Sequence, residues 1–406
     1  MIKININHLF NKLKFKLDSI FFFIFIFLIY SIIVFFSAKS IYMDYYAHID
    51  HVVNINKGVK NYPSNFLFYF IVNILSCFST NKLILYVALI FLLSFATFFK
   101  YIVCKGFVMD FIIKDNVGFY KKGVIIISSI CFFIYAIPDP FLFLMHKRMY
   151  LGKFVPTVWH NSTSILLFPF VLLLFWRQLK IIIDKHKINF KNSLIISLLV
   201  IINVLIKPSF IFVFIPVTFI LVLKKYFNKE FNFKEFFISI IPLIIGLILI
   251  LIMSSLTYFF QYGSFQEESS SIGIKFFYVY RLFYPLWYLP VALFFSLGLP
   301  IMSIVFYPSI LKFKPFGYSF LLVVFSLLIS FIFVENGPRL SHGNFIWQNV
   351  FTLFLLFLTN LVFLYNTFKV KFSLDFKNTI LIFLLLSHFI SGFLYLFKYL
   401  LIENYS

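Results

Sequence analysis

Residues 236–259 read FFISIIPLIIGLILILIMSSLTYF, twenty-four positions without a charged side chain. A helix apolar on every side belongs in the core of a large protein or in a membrane. A bilayer core takes about 20 such residues to cross. The decision comes from repetition. Comparable runs occur near 18–38, 83–104, 123–145, 163–181, 192–206, 209–223, 286–306, 318–334, 345–367 and 378–400. Across 406 residues the chain is 62% hydrophobic and 12% charged, roughly half the charged fraction (about 25%) of a soluble domain. The expected fold is an all-α polytopic membrane protein of about 11 transmembrane helices (10–13). It forms one transmembrane domain over residues 1–406.

The basic residues orient it. A short apolar segment, 65–78, is the ambiguous piece, because about fourteen residues fall below the ~20 needed to cross. If it does not span, the N-terminal side collects four Lys before residue 17, five at 100–122, five Lys/Arg at 177–191, four at 224–234, two at 312–314 and three at 369–377. That is 23 of the 35 Lys and Arg, against 12 on the other side. Cytoplasmic loops gather Lys and Arg. The split therefore places the N-terminus in the cytoplasm, the C-terminus outside and the chain in the cell membrane. Lys3, Lys12, Lys14 and Lys16 ahead of the first run resemble a signal peptide. The length of that run and the many spans after it favour an uncleaved first helix.

Several function classes drop out. The net charge of +21 suggests nucleic acid only in a soluble chain; here topology accounts for it, and no nucleic-acid partner is expected. Cys77, Cys104 and Cys131 have neither disulfide nor metal-cluster spacing. There is no Gly-rich phosphate loop and no obvious repeat. The longest outer loops, 39–64 and 260–285, are too short to fold alone. Chemistry must then lie at the membrane surface or between helices.

The outer loops carry the unusual residues. In the first, Asp44, His48 and His51 have the i, i+4, i+7 spacing of one helical face. Tyr45, Ile49, Val52 and Val53 make that helix amphipathic, as for a helix lying along the membrane surface. Two roles suit Asp44: a general base facing a cavity, or a cap on its own helix. The two His suit tuning that acid or contacting phosphate. No cofactor is expected, and the spacing does not support a divalent metal. Lys207-Pro208-Ser209 joins two short spans almost without a loop. Lys207 either snorkels to the interface or binds an anion beside the helix start at Pro208. Trp159, His160 and Asn161 precede a span; Trp159 suits an interfacial belt, and the group as a whole suits sugar contact. Arg148 follows His146 and Lys147. Glu335, Arg339 and His342 form a late cluster, fit either to brace a loop or to hold a diphosphate or saccharide.

The early acid on a surface helix, the Pro-led apolar segment Pro63-Ser64-Asn65-Phe66-Leu67-Phe68 and the Lys207-Pro208-Ser209 break together resemble the GT-C superfamily of membrane glycosyltransferases. The resemblance covers residues 1–225 as a GT-C-like core, with 226–406 as variable C-terminal helices. It implies sugar transfer on the extracytoplasmic face from a polyprenyl-linked sugar donor to a saccharide, lipid or protein acceptor of the cell envelope. It also implies that Asp44 is the catalytic acid of the first outer loop. The chain departs from the superfamily in that loop, where Asp44 and Asp50 stand six apart instead of forming a paired-acid motif. A C-terminal soluble domain is also not expected. Cationic residues for the leaving phosphate would be Lys207, Arg148 and Arg339, and membrane lipid would surround the whole. Two other functions compete. An O-antigen-type polysaccharide polymerase would favour one large Arg-rich outer loop. A lipid-linked oligosaccharide flippase or transporter would favour charges deep in several spans.

Overall fold

The computed structural model describes residues 17–37, 44–114, 117–141, 144, 154–184, 188–258, 271–282, 284–337, 340, 343–370 and 373–401. Among these, nine helices are long and apolar enough to cross a membrane. The protein is therefore a multi-pass, almost wholly helical membrane protein.

The first helix, α1 (Leu17–Ser37), is followed by α2 (Asp44–Asn56), α3 (Leu67–Leu75) and α4 (Lys82–Phe111). At ~1.5 Å per residue, the nine residues of α3 are too short to cross. Residues 65–78 thus form a half-helix wedged against α2, α4 and the helix carrying residues 190–206. Asn73 inside it is spent on structure, accepting from Asn56 Nδ2 at 2.8 Å and donating to the Tyr62 hydroxyl at 2.6 Å. The apolar face read for α2 is the buried one: Tyr45, Ile49, Val52 and Val53 pack inward against α3 and α4.

Next come α5 (Val117–Ile130), α6 (Ser162–Ile183), α7 (Phe190–Ile206), α8 (Ile211–Phe227) and α9 (Phe233–Tyr258). The expected span at 123–145 is not one helix. It stops at Ile130, turns through residues 131–133 and runs on without helix or strand over residues 134–139. Ile137-Pro138-Asp139-Pro140 keeps the chain from resuming a helix at 137 and 139, since a residue before proline is pushed out of the helical region. Non-helical backbone at this depth survives only where protein satisfies it.

That role falls to the last helices. The remaining long elements are α10 (Leu289–Phe306), α11 (Lys314–Ile332), α12 (Trp347–Val370) and α13 (Phe376–Leu401), and the short strands β1 (Ser271–Ile274), ahead of α10, and β2 (Phe333–Asn336), between α11 and α12, pair antiparallel. Tyr135 N–H donates to the His388 carbonyl at 3.1 Å, and His388 Nδ1 donates to the Tyr135 carbonyl at 2.7 Å. Ser391 Oγ donates to the Ala136 carbonyl at 2.5 Å, and Ile137 N–H to the Phe295 carbonyl at 2.8 Å. Gly392 makes the approach possible, because a Cβ there would collide with the Phe133 carbonyl.

Helices α6 and α12 are the most buried of the long helices and form the centre. Phe21, Phe25, Leu28 and Phe35 on α1, and Leu247, Ile248, Leu251 and Ile252 on α9, face outward, the apolar exterior a lipid-embedded bundle requires. Ion pairs mark the end where α1 begins. Lys105 of α4 pairs with Asp18 of α1, and Lys180 of α6 pairs with Asp110 of α4 at 2.5 Å. Lys100 was expected in a loop there. It lies inside α4 and is buried.

Candidate site at the Asp44 end

At the other end, three separate segments converge for identifiable reasons. Asn161 caps α6: its backbone is extended, and its Oδ1 accepts from Ser164 N–H at 2.9 Å, as capping Asn residues do. The same Oδ1 accepts from Thr163 Oγ1 at 3.0 Å and Lys207 Nζ at 3.2 Å. Three donors on one oxygen fix which way the amide faces. Nδ2 must then point away from them, and it donates to the Asp44 carboxylate.

Lys207 ends α7 in extended conformation, with φ −168°, because Pro208 follows it. Its amine does not reach outward, and burial pulls its pKa down to about 7 while Asp44 opposes the shift. It donates to Asn161 Oδ1 and to Ser164 Oγ at 3.1 Å, and lies 4.1 Å from the Trp347 ring centroid at the start of α12. These three contacts match the three N–H bonds of an ammonium. Asp44 and Lys207 do not form an ion pair with each other; the Asn161 amide stands between them.

Asp44 begins α2, and its backbone N–H donates to the His160 carbonyl at 3.3 Å. One turn on, His48 Nδ1 is 2.8 Å from the Tyr69 hydroxyl of α3. Burial holds the His48 imidazole down at about pKa 4; Asp44 opposes that shift while Lys207 and His51 add to it. His51, whose ring centroid is 5.0 Å from that of Tyr69, is lowered to about 4 by burial and by Lys60. Both imidazoles are therefore neutral at pH 7. Any contact they make to phosphate is that of a neutral donor, not a cation.

His160 Nδ1 lies 3.1 Å from the Tyr395 hydroxyl of α13, with its ring 5.9 Å from Trp347. Trp159 is buried at 2% exposure; its ring meets Tyr30 at 5.9 Å and its carbonyl accepts from Tyr45 Oη. That is an internal packing position, not a belt at the lipid surface. Asp50 pairs with Lys82 at 2.6 Å, away from Asp44. Glu335 is buried on β2, accepting from Asn344 Nδ2 and from Tyr258 Oη at 3.5 Å, and so braces the ends of α9 and α12. Arg148, Arg339 and His342 lie outside the described residues.

The structure thus gathers Asp44, His48, His160, Asn161 and Lys207. It adds Ser164, Trp347, Tyr69 and Tyr395, which sequence reasoning passed over. Trp347 had a usable signal, an aromatic at the first turn of a span. Ser164 had one too, three residues past a capping Asn. No group of three metal-ligating side chains occurs among the described residues. No protein-family model matches the chain, and no curated protein is recognisably similar to it.

Proposed function

We propose that this chain is a membrane glycosyltransferase that moves a sugar from a polyprenyl-linked donor to a cell-envelope acceptor at the Asp44 end, taken as the extracytoplasmic face. The observation that carries the reading is a carboxylate and a cation held apart by one oriented amide, at the end of an apolar bundle. An inverting transfer requires that geometry in general terms. The acceptor hydroxyl gives its proton to a carboxylate as its oxygen bonds to the anomeric carbon. The bond from that carbon to the phosphate oxygen breaks, and the phosphate leaves toward positive charge. Asp44 is assigned as base and Lys207 as the source of positive potential. Asn161 is assigned to keep the two from neutralising each other. The fold would be GT-C-like, with eleven crossings formed by the nine long helices, α7, and α5 with its non-helical continuation. The N-terminus would be cytoplasmic.

The test is transfer by purified protein supplied with polyprenyl-phosphate sugars and extracted envelope acceptors, compared with Asp44→Asn. Transfer that requires Asp44 supports the reading. Failure to transfer any sugar, or equal transfer by the variant, overturns it.

A transporter reading draws on Lys100 and Asp139, ionisable residues buried inside the bundle. Asp139 is enclosed, accepting from the Phe141 N–H at 2.9 Å and Tyr288 Oη at 2.6 Å. The space beside Lys100 is about 20 Å³, a pocket for one small species and not a conduit.

A further inference from the structure

Lys100 is an ionisable residue to which the proposed reaction gives no role. It is 4% exposed, and its Nζ lies 3.6 Å from the Phe168 ring centroid, 3.8 Å from Phe354 and 4.9 Å from Phe132. Among the described residues no carboxylate pairs with it. Aromatic faces attract an ammonium but do not neutralise it. A buried charge persists where a counter-charge or strong hydrogen bonds meet it.

A cavity of about 20 Å³ adjoins this ammonium, lined among others by Tyr30, Thr97, Thr157 and Trp159. The volume exceeds the ~10–15 Å³ that one water needs, and a chloride ion is only slightly larger than a water. Thr157 Oγ1 is buried there with no hydrogen-bond partner. Tyr30 Oη and Thr97 Oγ1 lie 2.9 Å apart and share one hydrogen bond. Among the described residues no acidic side chain lines the space. Thr157, Val158 and Trp159 of its lining run directly into His160 and Asn161 of the Asp44 site.

We propose that this cavity is an anion site, binding one chloride-sized monovalent ion between the Lys100 ammonium and the Thr157 hydroxyl. The ion supplies the counter-charge that the protein lacks and an acceptor for the orphan hydroxyl. A polyatomic phosphate does not fit the volume. The site is independent of the glycosyltransferase assignment, because its ligand is set by the cavity alone.

The experiment is thermal unfolding of the purified full chain in detergent, with sodium chloride exchanged for sodium gluconate at constant ionic strength. Gluconate is too large to enter. Chloride should raise the unfolding temperature saturably, on the order of 2 °C or more, and bromide should substitute for it. Lys100→Met should abolish the rise. Thr157→Val should move its midpoint to roughly tenfold higher chloride, the loss of one hydrogen bond to an ion. Equal stability of wild type in the two salts overturns the proposal. So does a chloride-dependent rise that survives in Lys100→Met, which would locate binding on the basic loops. Should Lys100→Met not fold, an unchanged midpoint in Thr157→Val overturns it.

Discussion

Two charge clusters at opposite ends of the bundle are built in opposite ways, although Lys82 also meets Asp50 directly near the second. At the end where α1 begins, Lys105 meets Asp18 and Lys180 meets Asp110 directly. Acid and base close on each other, and further donors finish the arrangement, with Tyr101 Oη on Asp18 at 3.3 Å and Trp176 Nε1 on Asp110 at 3.1 Å. At the Asp44 end the amide of Asn161 separates an acid from a base. Direct pairs of this kind serve the fold, because each partner compensates the other's burial. A separated acid and base keep their charges available to a third party. The difference predicts that substitutions at one end read out in stability and at the other in chemistry.

The largest effect should come from Asp44→Asn. The introduced carboxamide keeps an oxygen for Asn161 Nδ2, so the fold should hold and the unfolding temperature should barely move. Loss of a general base costs on the order of 10²–10⁴ in rate. Transfer should fall by that factor while donor binding persists. An unfolding temperature that drops with activity would put Asp44 in the same class as Asp18 and erase the contrast.

Lys105→Met should do the reverse. It strands the Asp18 carboxylate, whose side chain is 21% exposed. Leaving one partner of a buried pair uncompensated costs 3–5 kcal/mol, so partial exposure brings the expectation to about 2–3 kcal/mol. Chemical denaturation should register that loss, while transfer per folded molecule stays at the wild-type level. A loss of transfer with full stability would show that the two ends are coupled.

Lys207→Gln comes next. Its N–H bonds already serve Asn161, Ser164 and the Trp347 ring, so a donor phosphate would feel its charge more than a vacant hydrogen bond. Donor affinity measured in nanodiscs should weaken about tenfold, the low end for an interaction with a charged group. Arg should restore part of it, since a planar fork cannot reproduce the contacts of a compact ammonium. Unchanged affinity in the Gln variant would remove Lys207 from the site.

The sequence made some of this contrast legible and hid the rest for physical reasons. The apolar face of α2 was readable because Tyr45, Ile49, Val52 and Val53 follow helical spacing. The extended backbone at Lys207 was readable from Pro208. The same rule applied to Ile137-Pro138-Asp139-Pro140 would have barred helix at Ile137 and Asp139, although it does not foretell the stop at Ile130. Hydropathy does not distinguish a spanning helix from a buried non-helical segment. Lys100 was misplaced because a charge beside Cys104 and Lys105 looks like the start of a loop. The three Phe rings around it, drawn from distant parts of the chain, come together only in the fold. The role of Asn161 as separator was invisible, since it depends on which atom of its amide the cap at Ser164 claims.

The smallest effect concerns His48 and His51 and sharpens the question of which group carries positive charge at the Asp44 end. Both have folded-state pKa values near 4, held down by burial, against about 6.5 for an unfolded His. Between those values the unfolded chain binds more protons than the folded one. The stability these two residues contribute should therefore be level above pH 6.5 and fall as pH drops from 6.5 through 4. His48→Gln, which retains a partner for the Tyr69 hydroxyl, should shallow that slope, and adding His51→Gln should flatten it further. Unfolding temperatures from pH 4.5 to 7.5 read this directly. A slope unchanged in the double variant would mean that the imidazoles are not buried as neutral groups. The same neutrality sets their place in binding. At pH 7, His48→Gln should leave donor affinity within about twofold of wild type, because it removes no charge. Lys207→Gln should cost several times more. Equal losses in the two variants would mean that ligand binding recharges His48, with Asp44 pulling its pKa upward once the anion arrives.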